Sequence, residues 1–277
     1  MTGAVAEIAP AKINLALHVR ARLPDGYHRI ETLFAFARDG DVVIVARAEA
    51  PGFTITGPFA AGLSGEGDNL VTRAAAAFAA AFGIDVPHAI TLDKRLPIAS
   101  GIGGGSADAA ACLRALARLH GVAADDPRLM AAAAPLGADV PACLWGRTSL
   151  GTGRGDELIA VDGLPGLPLL LVNPGVPVVT GAVFRGWDGV DRGPIPDGGL
   201  LERACAGRND LAAPAICIAP VIAEVAALLA AAPGALLARM SGSGATCFAL
   251  FDDEATRDAA TTRARSRGWW TLATMLA

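Results

Sequence analysis

LPIASGIGGGSADAA, residues 96–110, sets Gly101, Gly103, Gly104 and Gly105 around Ile102 and runs directly into an alanine-rich helical pattern. Glycine has no Cβ, so a backbone built from it can curl until several N–H groups face one point. A helix starting there adds its own unpaired N–H groups and the positive end of its dipole. The stretch reads as an anion site, most simply for a phosphate, or as a tight strand-to-helix turn. No GK[ST] follows, so it is not a Walker A loop. A GxGxxG fingerprint starting at Gly101 would need glycine at 106, where Ser106 stands; this disfavours a dinucleotide oxidoreductase. Ser106 directs its hydroxyl at a phosphate or Mg²⁺, or caps the helix.

Around this loop the chain has the bulk of one large domain or two ordinary ones, with 277 residues, 53% hydrophobic and 18% charged. Its net charge of −4 gives no broad footprint for nucleic acid, so anion binding has to be local. The apolar stretch 216–240 is broken by Pro220, Glu224, Pro233, Gly234 and Arg239, which suits a helix and strand better than a membrane span. The N-terminus lacks a basic region followed by an apolar run, so no signal peptide is expected. Cys112, Cys143, Cys205, Cys217 and Cys247 are dispersed and form no CxxC pair. They predict neither a disulfide framework nor a zinc site, and suit buried thiols of a cytoplasmic protein. Lys12 and Lys94 are the only lysines and Tyr27 the only tyrosine in a chain rich in arginine.

The first half reads as mixed α and β. Strands are expected at 5–9, 13–19, 41–46, 53–56 and 88–92, and helices at 69–82, 104–120 and 129–134. GTGRGDE (151–157) and DGLPGLP (162–168) suggest a change of domain. Beyond it come a strand at 167–172, a loop and helix region to 211 with a surface loop at 193–199, and a helix at 221–232. Strands at 236–240 and 245–251 flank SGSG (241–244), and a helix at 254–265 and a strand at 269–275 follow. Helix, hairpin, helix, strand in that order predicts a two-layer α+β sandwich.

Three further stretches carry chemistry. In PAKINLALHVRARLPDGYH (10–28), Lys12 and Asn14 alternate with Ile13 and Leu15 and so share one strand face, either a solvated surface or a site wall. Its DGYH turn offers Tyr27 to stack on a base and His28 to hydrogen-bond a base edge, unless both are structural. In LGADVPACLWG (136–146), Asp139 sits in an apolar run, where a carboxylate is costly to bury unless paired. It is a site residue, or part of a turn or a cap. MSGSGATCFAL (240–250) is a glycine hairpin free enough to approach another loop closely.

Together and in this order, these stretches resemble the GHMP kinases over nearly the whole chain, with DNLV (68–71) and TLDKRLP (91–97) also similar. The resemblance implies a two-domain α+β fold: a ribosomal-protein-S5-domain-2-like N-terminal domain over 1–155 and a ferredoxin-like α/β sandwich over 156–277 that contributes to the substrate cleft. DGYH is similar to the branch that uses ATP to phosphorylate the 2-hydroxyl of 4-diphosphocytidyl-2-C-methyl-D-erythritol in the non-mevalonate isoprenoid pathway. By resemblance Asp139 is the catalytic base and Lys12 its partner. Pro97, Ala99, Ser100, Gly101, Ile102, Gly103, Gly104, Gly105 and Ser106 hold the phosphates, and Asn69 and Lys94 lie near the adenosine. Tyr27 and His28 meet the cytosine, Phe184 adds a second aromatic face, and Asn14 lies near the polar substrate. Mg²⁺ accompanies ATP without a dedicated protein cage, and a monomer or weak homodimer is expected. Ile102 replaces a usual leucine or methionine, and 178–200 matches weakly. Rival readings are a kinase for homoserine, mevalonate or a sugar, and a silent nucleotide-binding paralogue.

Overall fold

The computed structural model describes residues 3–63 and 69–277, so Asp68 of the DNLV stretch lies outside the described residues. The chain forms two compact units, both discontinuous in sequence. The first takes residues 1–11, 39–98 and 103–146; the second takes 12–38, 99–102 and 147–277.

Two long strands, β1 (Val5–Arg22) and β2 (His28–Arg47), contribute residues to both units. The expected strands at 5–9 and 13–19 are therefore one element, and the expected 41–46 is only the end of a 20-residue strand. In the first unit the end of β2 pairs antiparallel with β4, which runs His88–Asp93 (Val42↔Asp93 to Arg47↔His88), and β3 (Gly52–Thr56) pairs parallel with β4. Val43 and Val45 are buried while Ile44 is exposed, the period-2 pattern of a half-covered sheet.

Helix α1 (Leu70–Phe82) starts where the Asn69 side chain accepts the Val71 N–H and stops at Gly83 in the left-handed conformation. The strand β4 (His88–Asp93) follows, and then α2 (Gly104–His120), which ends at Gly121. Residues 107–113 of α2 are all buried, because alanine lets neighbours close in on every side. Helix α3 (Pro127–Ala133) is capped by Asp126, and the short α4 (Val140–Trp145) was not legible in the sequence. Arg114 of α2 ties these pieces together by donating to the carbonyls of Ile8 and Cys143, with Glu7 beside it.

In the second unit, β5 (Ser149–Thr152) pairs with the first half of β2 and with β6 (Glu157–Ala160). The glycines of GTGRGDE thus close a hairpin. Four further strands form an antiparallel sheet in the order β10-β7-β9-β8. These are β7 (Pro168–Asn173), β8 (Ala235–Met240), β9 (Cys247–Phe251) and β10 (Trp270–Met275). The helices are α5 (Thr180–Arg185), α6 (Leu200–Ala206), α7 (Ala212–Ile218), α8 (Val221–Ala230) and α9 (Glu254–Arg265). Leu170, Val172, Ala249 and Phe251 meet Ile222, Val225 and Leu229 of α8 and Ala260 and Ala264 of α9 in one core. The helix, hairpin, helix, strand order read from the sequence is what forms this two-layer sandwich.

Candidate active site

In the second unit, residues 99–102 carry the first half of the glycine loop. Ser100 accepts from the Thr246 N–H through its carbonyl (3.1 Å), and the Ile102 carbonyl accepts from the Lys12 N–H (2.9 Å). The Ser241 hydroxyl donates to Gly101 O at 2.9 Å and accepts from the Asn14 N–H at 3.2 Å. Gly101 has φ +76°, and a Cβ there would lie 2.5 Å from Ser241 O and 2.7 Å from Gly244 O. Only glycine permits both that torsion and that approach. The SGSG hairpin is itself braced: Asn209 donates to the carbonyls of Met240 and Gly242, and Ser243 bonds Thr180. The expectation that this hairpin approaches another loop closely is met here.

Lys12 and Asn14 do share a face of β1. The Lys12 ammonium donates to Asn14 Oδ1 at 2.9 Å and lies 5.2 Å from the Phe34 ring centroid. Asn14 Nδ2 donates to Thr32 Oγ1 (2.8 Å), which donates to Ala16 O. Both side chains are buried, so the face is a wall and not a solvated surface.

An aromatic cluster forms around His28. Its ring lies 5.0 Å from Phe184 and edge-on to Trp187 at 5.8 Å. Arg22 donates to the carbonyls of Arg185 and Trp187 and so holds the end of α5 beside the imidazole. Burial, with the Arg22 charge added, pushes the His28 pKa below its ordinary range and favours the neutral ring. His28 Nε2 and Trp187 Nε1 are buried without a hydrogen-bond partner. Tyr27 is 54% exposed, with the Arg154 guanidinium 4.2 Å over its ring and Asp25 accepting from its N–H. The structure thus brings His28 and Phe184 together and sets Tyr27 in a separate, solvent-facing stack.

In the first unit, the second half of the loop starts at Gly103 (φ +66°) and leads into α2, with Ser106 in its first turn. Lys94 directs its ammonium at Asp41 Oδ2 (2.5 Å) and Asp108 Oδ2 (2.7 Å), all three side chains being buried. Burial works against the Lys94 charge, but Asp108 and Asp41 outweigh it and its pKa is raised. Burial pushes Asp108 up to about 7, against the pull of Lys94. Asn69 spends its side-chain oxygen on the α1 cap. Asp139 occupies the position before α4 but makes no side-chain cap bond to it, so the capping reading of its carboxylate does not hold. Pro97 is buried and Ala99 exposed at the loop entrance, with Ala99 at φ +49°.

The family described as GHMP kinases N terminal domain matches residues 69–147, and GHMP kinases C terminal matches residues 195–268. A relative from Rhizorhabdus wittichii, named 4-diphosphocytidyl-2-C-methyl-D-erythritol kinase, is 61% identical over 276 residues. The match covers 98% of this chain and 94% of that one. The chain belongs to the GHMP kinase family. A crystal structure of a 4-(cytidine 5'-diphospho)-2C-methyl-D-erythritol kinase is similar at 35% identity and TM-score 0.84, covering 98% of this chain and 99% of its own. A homoserine kinase from Cytophaga hutchinsonii shares the fold at 19% identity and TM-score 0.71, covering 98% and 94%.

The two-domain α+β fold implied by the motifs is thus that of the GHMP kinases, small-molecule phosphotransferases with ATP as co-substrate. Asp41, Asp108, Arg22 and Trp187 also shape these surroundings, and none of them stands in a motif that marks it as a site residue. Asp108 had a readable signal, an acidic residue inside the apolar run ADAAACL, the same argument that singled out Asp139. Among the described residues no helix is long and apolar enough to cross a membrane.

Proposed function

We propose that this chain transfers the γ-phosphoryl group of ATP to the 2-hydroxyl of 4-diphosphocytidyl-2-C-methyl-D-erythritol, in the non-mevalonate route to isoprenoid precursors. The observation that carries this reading is the His28–Phe184 contact, 5.0 Å between ring centroids. A planar ring beside a neutral imidazole is what a base-bearing acceptor asks for, and a small aliphatic alcohol asks for neither. The name of the 61% identical relative supports the same acceptor.

Phosphoryl transfer needs positioning and charge stabilisation more than covalent help from the protein. In this reading the amides of 99–105 with Pro97 and Ser106 take the phosphates, and Asn69 and Lys94 belong to the adenosine end. Asp139 orients the attacking hydroxyl and receives its proton, and Lys12 steadies charge on the attacking oxygen. Asn14 sets the Lys12 ammonium and meets the polar part of the acceptor. His28, Phe184 and Tyr27 receive the cytosine. Among the described residues no cluster of three histidine, cysteine or acidic side chains could cage a metal. In this reading Mg²⁺ comes as the companion of the nucleotide, held by phosphates and water with the Ser106 hydroxyl as the loop's offering. Bound so, it would neutralise phosphate charge.

Cytoplasmic residence and a monomeric or weakly dimeric state complete the proposal. Five cysteines free of disulfides, three of them buried, support a reducing compartment. The test is ADP release by purified protein with Mg·ATP and the cytidine compound, against mevalonate, homoserine and no acceptor. Release with the cytidine compound alone establishes the acceptor. Release with mevalonate or homoserine instead moves the chain to another GHMP activity, and ATP binding without turnover makes it a silent paralogue.

A further inference from the structure

The start of α2 carries both the end of the glycine loop and, about one turn on, a buried carboxylate. Asp108 lies about one turn beyond Gly104. Its Oδ2 meets the Lys94 ammonium at 2.7 Å, and the same ammonium meets Asp41 Oδ2 at 2.5 Å. Asp41 Oδ1 accepts the backbone N–H groups of Arg95 (2.5 Å) and Leu96 (2.8 Å). One side-chain cluster thus grips the chain where it approaches the glycine loop and again where it leaves as α2. The ammonium also packs under the loop's exit: a Cβ on Gly104 would lie 3.0 Å from Lys94 Nζ.

As a stabilising device the arrangement is poor. Two carboxylates share one ammonium out of water, and the side-chain exposures are 3% for Lys94, 0% for Asp41 and 3% for Asp108. Asp108 Oδ1 is buried without a hydrogen-bond partner, an uncompensated desolvation cost. In charge alone Lys94 and Asp41 already balance each other one to one, and a second carboxylate in the same buried place adds a desolvation cost. What Asp108 adds is direction, since it tethers α2 itself to the point that already holds Arg95 and Leu96.

We propose that Asp108 is a positioning residue: through Lys94 it locks the start of α2 to Asp41 and so aims the Gly104 and Gly105 amides that receive the nucleotide's phosphates. This rests on the reading of the chain as an ATP-dependent kinase whose glycine loop takes the phosphates.

The test compares Asp108→Leu and Asp108→Asn with the wild type, by ATP affinity from calorimetry without acceptor, by steady-state kinetics, and by thermal melting. Leucine fills the volume and leaves the Lys94–Asp41 pair in place but takes one acceptor from the ammonium, so the melting curve checks that the variant is folded. Its affinity for ATP should fall about tenfold or more, as a small misplacement of binding groups costs. The KM for ATP should rise alongside, with the KM for the cytidine compound little changed. Asparagine keeps an oxygen for the ammonium and should recover most of the loss. A folded Asp108→Leu that binds ATP as the wild type does would overturn the proposal, as would an asparagine variant no better than leucine. Wild-type protein that binds ATP but phosphorylates no cytidine compound would overturn the acceptor reading and leave this one standing. Wild-type protein that binds no ATP would overturn both.

Discussion

The Lys12 ammonium donates to Asn14 Oδ1 at 2.9 Å, and Asn14 hands the bond on to Thr32 at 2.8 Å. The long, flexible lysine stem is steered by a rigid amide that is itself fixed on both sides. Lys12→Ala should lower kcat by about 10²–10³-fold, the scale for removing one group that stabilises developing charge. Asn14→Leu should lower it less, because the charge stays while its aim is lost. Steady-state kinetics with saturating ATP checks both, and an unchanged kcat for either variant removes that residue from the chemistry.

Asp139 precedes α4 without a side-chain cap bond to that helix, so its removal should cost the helix little. Asp139→Asn should lower kcat about 10²-fold or more while ATP affinity stays near the wild-type value. Calorimetry and turnover measured on one preparation separate the two. A variant with wild-type kcat would leave the carboxylate without a catalytic role.

Gly101 lies against the backbone of the SGSG hairpin, not against flexible side-chain ends. A Cβ there would lie 2.5 Å from Ser241 O and 2.8 Å from Gly244 N, at a φ of +76°. Gly101→Ala should therefore cost about 1–2 kcal/mol in torsion alone, with the clash added. Both ATP affinity and the melting temperature should drop. A variant with unchanged affinity for ATP would show that 99–102 does not shape the phosphate site.

His18 is fully buried, with Nδ1 3.0 Å from Gly193 O and Nε2 accepting the Arg208 N–H at 3.1 Å. A carbonyl can only accept, so the proton sits on Nδ1 and the ring is neutral. Burial lowers its pKa from the ordinary 6.5, against the pull of Gly193 and with the Arg208 charge adding to the shift. Below that ordinary value the unfolded chain takes up a proton that the folded chain refuses. The His18 contribution is thus whole above 6.5 and declines as pH falls from there toward the lower folded value. His28, His88 and His120 shift in the same direction, while Asp108, raised to about 7, works in the opposite one. The stability difference between wild type and His18→Gln isolates the ring: it should shrink on acidification from about pH 7.5 to about pH 5.5. A difference constant across that range would show that His18 does not titrate on unfolding.

Phe184 and Tyr27 sit in different surroundings, one against His28 and one beneath Arg154. Phe184→Ala and Tyr27→Ala should each raise KM for the cytidine compound, by about 1–3 kcal/mol if both rings stack on the base. The KM for ATP is the control. A Tyr27→Ala enzyme with unchanged KM would leave Phe184 and His28 as the base site and Tyr27 as a surface stack on Arg154.

Local signals carried most of the helices and the sandwich order. Asn69 and Gly83 bracket α1, apolar spacing and Gly121 bracket α2, and the glycines of 241–244 mark the turn between β8 and β9. These depend on neighbours a few residues away, which a sequence displays directly. The long strands were not legible as units, because Lys12, Asn14 and Asp41 interrupt their apolar pattern with polar side chains. Those groups are buried, and the side-chain partners of Asn14 and Asp41 are Thr32 and Lys94, 18 and 53 residues along the chain. The same holds for Asp108 and for Trp187, whose surroundings come from distant segments. The sequence by itself determined which motifs this protein carries and the family they belong to. Only the tertiary structure decided which buried polar groups satisfy one another, because a charge or an amide hidden from water is defined by the partner that folding brings to it.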